Sequence, residues 1–410
     1  MNKKTLIWRL LCGRPVQHSL VILVTALTIS LTVCALQLSN GITGALNTAT
    51  RPFPLLAGAK GSPEQLVLST VFLRSIPPAN VGWATVEKLR GDRGVTAAIP
   101  IGLGDNYRGF RVVGTEPALF NYTIPGDKKP WLQLTSGKPF DAPLQAVIGT
   151  TTAQLTGLKV GDTFRTIHGT SALANSREHG DPITVTGILA PLGGPWDKAI
   201  LVHISTLWSQ HADHNPGPVA AAAAAEAHDE EDHDHEEKGD VTAVLVRPAG
   251  YSDALRLLSD YRSDRDAQII FPAQTIIQLL SLLGDAEKIL RFLALAAVGL
   301  TLLITAFTLW WFSAGSRREQ LILRALGASP RQLRSLWFTM GLVLILAGQI
   351  LGHTCGHLLY NLISNAAGKG AGLMLLHTLS VQEIALAGGV LLCGAIISYA
   401  ASGSAGNTEL

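Results

Sequence analysis

Apolar residues recur along this chain at two spacings. In four places they run on for about twenty residues: Ser19 to Leu38 and Phe292 to Phe312, both without charge, Leu336 to Leu359, which carries His353 and His357, and Val381 to Ala401, which opens with Glu383. About 20 helical residues cross the ~30 Å hydrocarbon core of a bilayer, so each stretch predicts a transmembrane helix. Trp310, Trp311 and Trp337 sit at span ends, where indoles favour the interface. Between the first two spans the apolar runs shorten and turn residues separate them. Val95–Ile99, Phe110–Val113, Gln145–Ile148, Ile183–Leu189 and Ala199–Val202 read as strands within a mostly β stretch from Gln65 to Leu201. Ile124-Pro125-Gly126-Asp127 and Gly193-Gly194-Pro195 read as turns. Asn80–Leu89 and Thr151–Leu155 predict short helices, Ser252–Tyr261 a longer one, and Gln268–Phe271 a further strand. From Ala273 to Leu290, apolar residues at 276, 277, 279, 280, 283 and 290 predict a helical stalk running into the second span.

The expected fold is therefore a membrane α-helical protein of four transmembrane helices. A large α+β periplasmic domain is inserted between helices 1 and 2. The reading divides the chain into a cytoplasmic amphipathic pre-helix (1–18), the first span (19–38), an outer domain (39–272) and a stalk helix (273–291). The second span (292–312), a cytoplasmic loop (313–335), the third span (336–359), an outer loop (360–380), the fourth span (381–401) and a cytoplasmic tail (402–410) follow.

Composition agrees with a mixed protein. Only 15% of residues are charged and 47% are apolar, against about 25% charged in soluble domains. That excludes a purely soluble enzyme and a disordered chain, while 41 Gly and 20 Pro exclude a bare helix bundle. The net charge of +2 gives no reason to expect nucleic acid. The placement of charge says more. Lys3, Lys4, Arg9 and Arg14 precede the first span without an acid, and Arg317, Arg318, Arg324, Arg331 and Arg334 face a single Glu319 between spans two and three. The positive-inside rule puts that loop and both termini in the cytoplasm. The first span is too long for a cleaved signal core. Leu31-Thr32-Val33-Cys34 only faintly resembles a lipoprotein cleavage site, because Val33 is large. Cys12, Cys34, Cys355 and Cys393 all lie outside the outer domain and read as small packing residues.

The second loop carries the most specific pattern. Ser316-Arg317-Arg318-Glu319-Gln320-Leu321-Ile322-Leu323-Arg324-Ala325-Leu326-Gly327-Ala328 predicts a short amphipathic helix, with Leu321, Ile322, Ala325 and Leu326 on one face. Gly327 suits its C-terminus and Ser329-Pro330 the start of the next helix. This run, ahead of a transmembrane helix, resembles the signature of FtsX-like ABC transporter permeases, the MacB and LolC/LolE group. Trp8-Arg9-Leu10-Leu11 with Arg14-Pro15, Ala146-Val147-Ile148-Gly149, Leu158-Lys159-Val160-Gly161-Asp162 and Ile183–Leu189 strengthen the resemblance, which covers nearly all of the chain outside 211–240. Thr339 and Met340, where members often carry a Glu, and Gln320-Leu321 after the motif's Glu depart from the pattern.

The resemblance implies a permease subunit in the bacterial inner membrane, for export or transfer of an envelope substrate. It implies that Arg317, Arg318, Glu319, Leu321, Ile322, Arg324, Ala325, Leu326, Gly327 and Ala328 contact a separate ABC ATPase subunit. It further implies pairing with a second permease copy, identical or paralogous, in the lipid bilayer, and engagement of a periplasmic partner protein. The sequence has no phosphate-binding loop: Gly137-Lys138 and Gly368-Lys369 lack the Gly five residues earlier that such a loop requires. ATP therefore acts only through the partner, and the chain is expected to be no enzyme itself.

Histidine raises a second line of chemistry. Between Glu226 and Asp240 there are nine acids and one Lys, a net of −8. His211, His214, His228, Asp229, His233, Asp234 and His235 supply imidazole and carboxylate ligands of the kind Zn²⁺ takes. Their spacing fits weak, exchangeable binding or a solvated acidic linker. His353 and His357, one helical turn apart, form a second candidate metal site with His377. The alternative function is a metal-responsive membrane scaffold that senses zinc through the insert and transports nothing.

Overall fold

The computed structural model describes residues 15–169, 181–212, 239–315, 317–371 and 380–406, together with Ile7, Arg9, Cys12 and Gly13. The chain divides into two compact units. One holds 1–44, 283–369 and 375–410; the other holds 45–282 and 370–374.

The first unit is helical. Three helices among the described residues are long and apolar enough to cross a membrane: Pro15–Thr50, Pro330–Ala366 and Val381–Ala400. The first belongs to α1 (Pro15–Thr50), which extends past the expected span at both ends because no breaker occurs until Arg51-Pro52. Phe292–Phe312 lies inside a single helix, α7 (Pro272–Gly315), so the expected stalk and second span carry no break between them. The other two long helices are Pro330–Ala371 and Val381–Gly406.

Glycines set the packing in this unit. Gly348, Gly352 and Gly356 repeat every four residues and form a groove along one helix. A Cβ at Gly352 would lie 2.7 Å from the Ile29 Cβ, and one at Gly356 would lie 2.9 Å from the Val33 Cβ and the Ser30 oxygen. A Cβ at Gly348 would meet Thr25 at 2.8 Å. Lipid tails are as apolar as leucine, so spans associate through close packing rather than water release, and small residues at this spacing permit it.

The second unit is built on one mixed sheet in the order β11-β1-β10-β2-β3-β9-β5-β8-β4. The strands are β1 (Leu55–Ala59), β2 (Val95–Tyr107), β3 (Phe110–Thr115), β4 (Leu134–Gly137), β5 (Gln145–Ile148), β8 (Ile183–Leu189), β9 (Ile200–His203), β10 (Ala243–Pro248) and β11 (Ala267–Ile270). Two short strands, β6 (Thr163–Phe164) and β7 (Ile167–His168), pair with β8 and β2.

The first four strands in that order form an antiparallel β-α-β-β-α-β arrangement with helices α2 (Pro63–Thr70), α3 (Trp83–Gly91) and α6 (Tyr251–Asp260). The remaining strands are an insertion between β2 and β10, with parallel pairs β3–β9 and β5–β8. Helices α4 (Thr150–Thr156) and α5 (Ile204–Ala212) belong to this insertion. The sheet buries both faces. Leu56, Ile101, Val113 and Leu201 join one core; Leu55, Ala57, Val244 and Val246 join another. All five residues of β1 are buried, so Leu-Leu-Ala-Gly-Ala shows no alternation and leaves no strand signal in the sequence. α2 is likewise a helix that the β reading from Gln65 onward misses. Its N-cap is Ser62, whose Oγ accepts the Gln65 N–H at 3.1 Å, with Pro63 in the first turn.

Gly102 and Gly114 face each other across β2 and β3, and the Leu207 side chain of α5 fills the space that Cβ atoms would take. His203 ends β9 and directly precedes this helix. Its Nδ1 accepts the Ser205 N–H at 3.4 Å and lies 2.7 Å from the Ser205 hydroxyl.

Candidate functional site

The amphipathic run of the second loop forms α8 (Arg317–Ala325). Its end is built by backbone geometry. Gly327 adopts φ +93, the Ala328 N–H reaches the Leu323 carbonyl at 3.0 Å, and the Gly327 N–H reaches the Arg324 carbonyl at 2.9 Å. Glycine tolerates this left-handed conformation and so ends the helix. The following helix (α9, Pro330–Ala371) opens with a reciprocal cap: Ser329 N–H donates to Gln332 Oε1 at 2.9 Å, and Gln332 N–H donates to Ser329 Oγ at 3.3 Å. The turn between the two helices is therefore fixed at both ends.

α8 divides its apolar residues unevenly. Gln320 is buried, whereas Leu321 is 52% exposed, Ile322 53% and Leu326 79%. Ala325 is exposed as well and Arg324 half-buried. Apolar side chains left open beside Arg324 make a surface for a protein partner or the membrane interface. The side chains of Arg317, Arg318 and Glu319 lie outside the described residues.

A second polar group sits within the membrane unit. The Gln37 side-chain amide of α1 donates to the Glu383 carboxylate of the last helix, α10 (Val381–Gly406), and His357 Nε2 lies 3.9 Å from Glu383 Oε2. Gln349 donates from Nε2 to the Ala387 carbonyl at 2.7 Å, and His353 Nδ1 is 3.0 Å from the Gln349 carbonyl. Gln349, His353 and His357 are spaced i, i+4, i+8 and so share one helix face. Glu383 is only 2% exposed and Gln37 is fully buried. In the sequence Glu383 marks only the start of a span, and Gln37 and Gln349 carry no signal of their own. Nothing in a single span shows that three helices bring these residues together. Among the described residues no group of three or more His, Cys, Asp or Glu is placed to hold a metal ion. His377 lies outside the described residues, as do His214, His228, Asp229, His233, Asp234, His235 and the side chain of His211.

The mixed-sheet unit has an open cleft of about 830 Å³, lined among others by Arg90, Ala98, Glu116, Tyr122 and Arg247. Arg90 Nη2 pairs with Glu116 at 2.5 Å. Burial pushes the Tyr122 phenol up to about 12, and its hydroxyl donates to the Pro52 carbonyl at 2.8 Å. Elsewhere burial raises the Asp197 carboxyl although three backbone N–H groups, of Leu192, Gly193 and Gly194, oppose that rise. Asp197 thus ties a loop and leaves no reactive acid in a cleft.

Apolar helices that can cross a membrane, a large mixed-sheet domain following the first of them, and an amphipathic helix capped just ahead of a later one define a membrane protein of the transporter-permease class. Comparison with known families names the class. Residues 22–237 match the MacB-like periplasmic core domain, and residues 291–410 match the FtsX-like permease C-terminal. The chain belongs to the FtsX/MacB-type ABC transporter permeases. Members are inner-membrane subunits with a periplasmic domain and no ATPase of their own, and they function with a partner ABC ATPase.

Among solved structures, the chain is similar to the periplasmic region of MacB from Actinobacillus actinomycetemcomitans, at 12% identity and a TM-score of 0.35, over 56% of this chain and 95% of that one. It is also similar to the extracellular domain of the noncanonic ABC-type transporter YknZ from Gram-positive bacteria, at 14% identity and a TM-score of 0.30, over 53% and 98%. No curated protein matches the chain.

Proposed function

We propose that this chain couples ATP hydrolysis by a separate ATPase to movement of its periplasmic core domain, and so exports or transfers an envelope substrate. The observation that carries the reading is α8. It leaves Leu321, Ile322 and Leu326 open while the turn that joins it to the next helix is fixed at both ends by caps. A helix docked on an ATPase must transmit force, and a capped helix adjoining a membrane span transmits it with little slack. In this reading four spans cross the inner membrane, both termini and α8 are cytoplasmic, and a second permease copy completes the membrane unit.

Co-expression with its ATPase, followed by co-purification and measurement of ATP hydrolysis, tests this. The combined variants Arg317→Glu, Arg318→Glu and Arg324→Glu are expected to abolish permease-stimulated hydrolysis without preventing membrane insertion. Stimulation equal to that of the native chain would overturn the coupling assignment.

A further inference from the structure

The 830 Å³ cleft has a particular origin in the sheet. β2 pairs with β10 from Val95 to Ile101, but with β3 only from Ile101 onward. On the side away from β10, its first half has no neighbouring strand among the described residues. β3 ends at Thr115, and the chain turns away into a 3₁₀ turn, Pro117–Asn121. The two arms diverge and the cleft lies in the fork. Thr96–Ile99 line one side, and residues between Glu116 and Pro125 line the other. Its size falls within the range of small-ligand pockets, about 300–1,000 Å³.

The main chain at the fork is oriented. The Ala98 carbonyl accepts Arg90 Nε at 3.2 Å, and the Pro100 carbonyl accepts the Thr115 hydroxyl at 2.9 Å. Both carbonyls therefore point away from β10. In a strand a residue's N–H and C=O share a side, so the Ala98 N–H also points into the fork. Pro100 has no N–H to leave unpaired there, as suits an edge. The cleft also holds an unanswered cation. Alternation along β10 puts Arg247 on the same face as Ala243 and Leu245, at the cleft wall. Its Nη1 donates to the Thr123 carbonyl at 2.9 Å, and it has no carboxylate partner among the described residues. The one acid lining the cleft among the described residues, Glu116, is held by Arg90.

We infer that this fork binds an extended peptide segment, which adds to the Ala98 edge of β2 and places a carboxylate on Arg247. Main-chain pairing supplies affinity with little demand on sequence, and the guanidinium supplies a preference for an anionic group. Arg90 gives up the Ala98 carbonyl and keeps Glu116. The carboxylate is either the peptide's C-terminus or an acidic side chain.

The test uses the full-length chain in detergent, without an ATPase, and a fluorescein-labelled peptide Val-Thr-Val-Thr-Val-Glu read by anisotropy. Saturable binding is expected. Arg247→Gln should weaken it by about tenfold or more, equivalent to ~1.4 kcal/mol, and Arg247→Lys should restore part. Ala118→Trp, at an exposed position on the cleft wall, should block binding while leaving thermal unfolding unchanged. Proline in place of the central valine should abolish binding by removing the pairing N–H. Loss on C-terminal amidation assigns the terminal carboxylate, and loss on exchanging Glu for Gln assigns the side chain. Absence of saturable binding, indifference to both carboxylate changes, or full binding by Ala118→Trp would overturn the proposal.

Discussion

At the scale of single residues, burial decides which polar groups stay charged. His203 shows this most clearly. Burial lowers its imidazole below the usual value of 6.5, partly offset by Glu116. Its Nδ1 must stay unprotonated to accept from Ser205 at the start of α5. The unfolded chain therefore takes up this proton first as pH falls. The stability tied to neutral His203 is present above pH 6.5 and lost as pH drops toward the lower folded value. His203→Asn keeps an acceptor and removes the titration. Thermal unfolding of this variant should lose less stability between pH 7 and 5 than the native chain, and equal losses would exclude the role. The glycines of the membrane unit make an equally local claim. Gly352→Leu must push its side chain into Ile29, where even a Cβ has 2.7 Å. Overpacking of this kind costs about 1–3 kcal/mol or more. Reduced detergent-resistant folding is expected, whereas Gly388→Leu, with open space at its Cβ, should be tolerated.

At the scale of elements, the amphipathic loop helix was the most legible part of the chain. Its length, its Gly327 terminator and the Ser329-Pro330 start are all local signals, and local hydrogen bonds implement them. β5 and β8 were legible in their full extent because strand and turn signals bound them closely. β1 and α2 were not. A strand buried on both faces loses its alternation, and a two-turn helix offers little periodicity. The acidic histidine-rich stretch is an element only in composition. Titration of the full chain with Zn²⁺, compared with a chain lacking 211–240, is expected to show weak binding of several ions that the deletion removes. Equal binding by both chains would leave the insert a linker.

At the scale of the whole molecule, charge placement predicts how the membrane spans are oriented. The near-neutral total of +2 combines a −8 outer insert with a basic remainder. A membrane-impermeant maleimide applied to intact spheroplasts of a chain freed of its native cysteines should label Ala118→Cys from outside. It should label Leu326→Cys only after permeabilisation. The reverse pattern would invert the topology and remove α8 from reach of a cytoplasmic ATPase.

Hydropathy, charge asymmetry and the loop motif are properties of contiguous residues, so the sequence by itself determined the membrane class, the expected orientation and the amphipathic loop helix. Three features depend on residues far apart in the chain. The Gln37–Glu383–His357 contact, the glycine groove beneath Ile29 and the fork beside Ala98 each require elements that meet only after folding. Tertiary structure alone decided them, because a side chain's partner across a helix interface or a split sheet leaves no periodic mark on its own strand or helix.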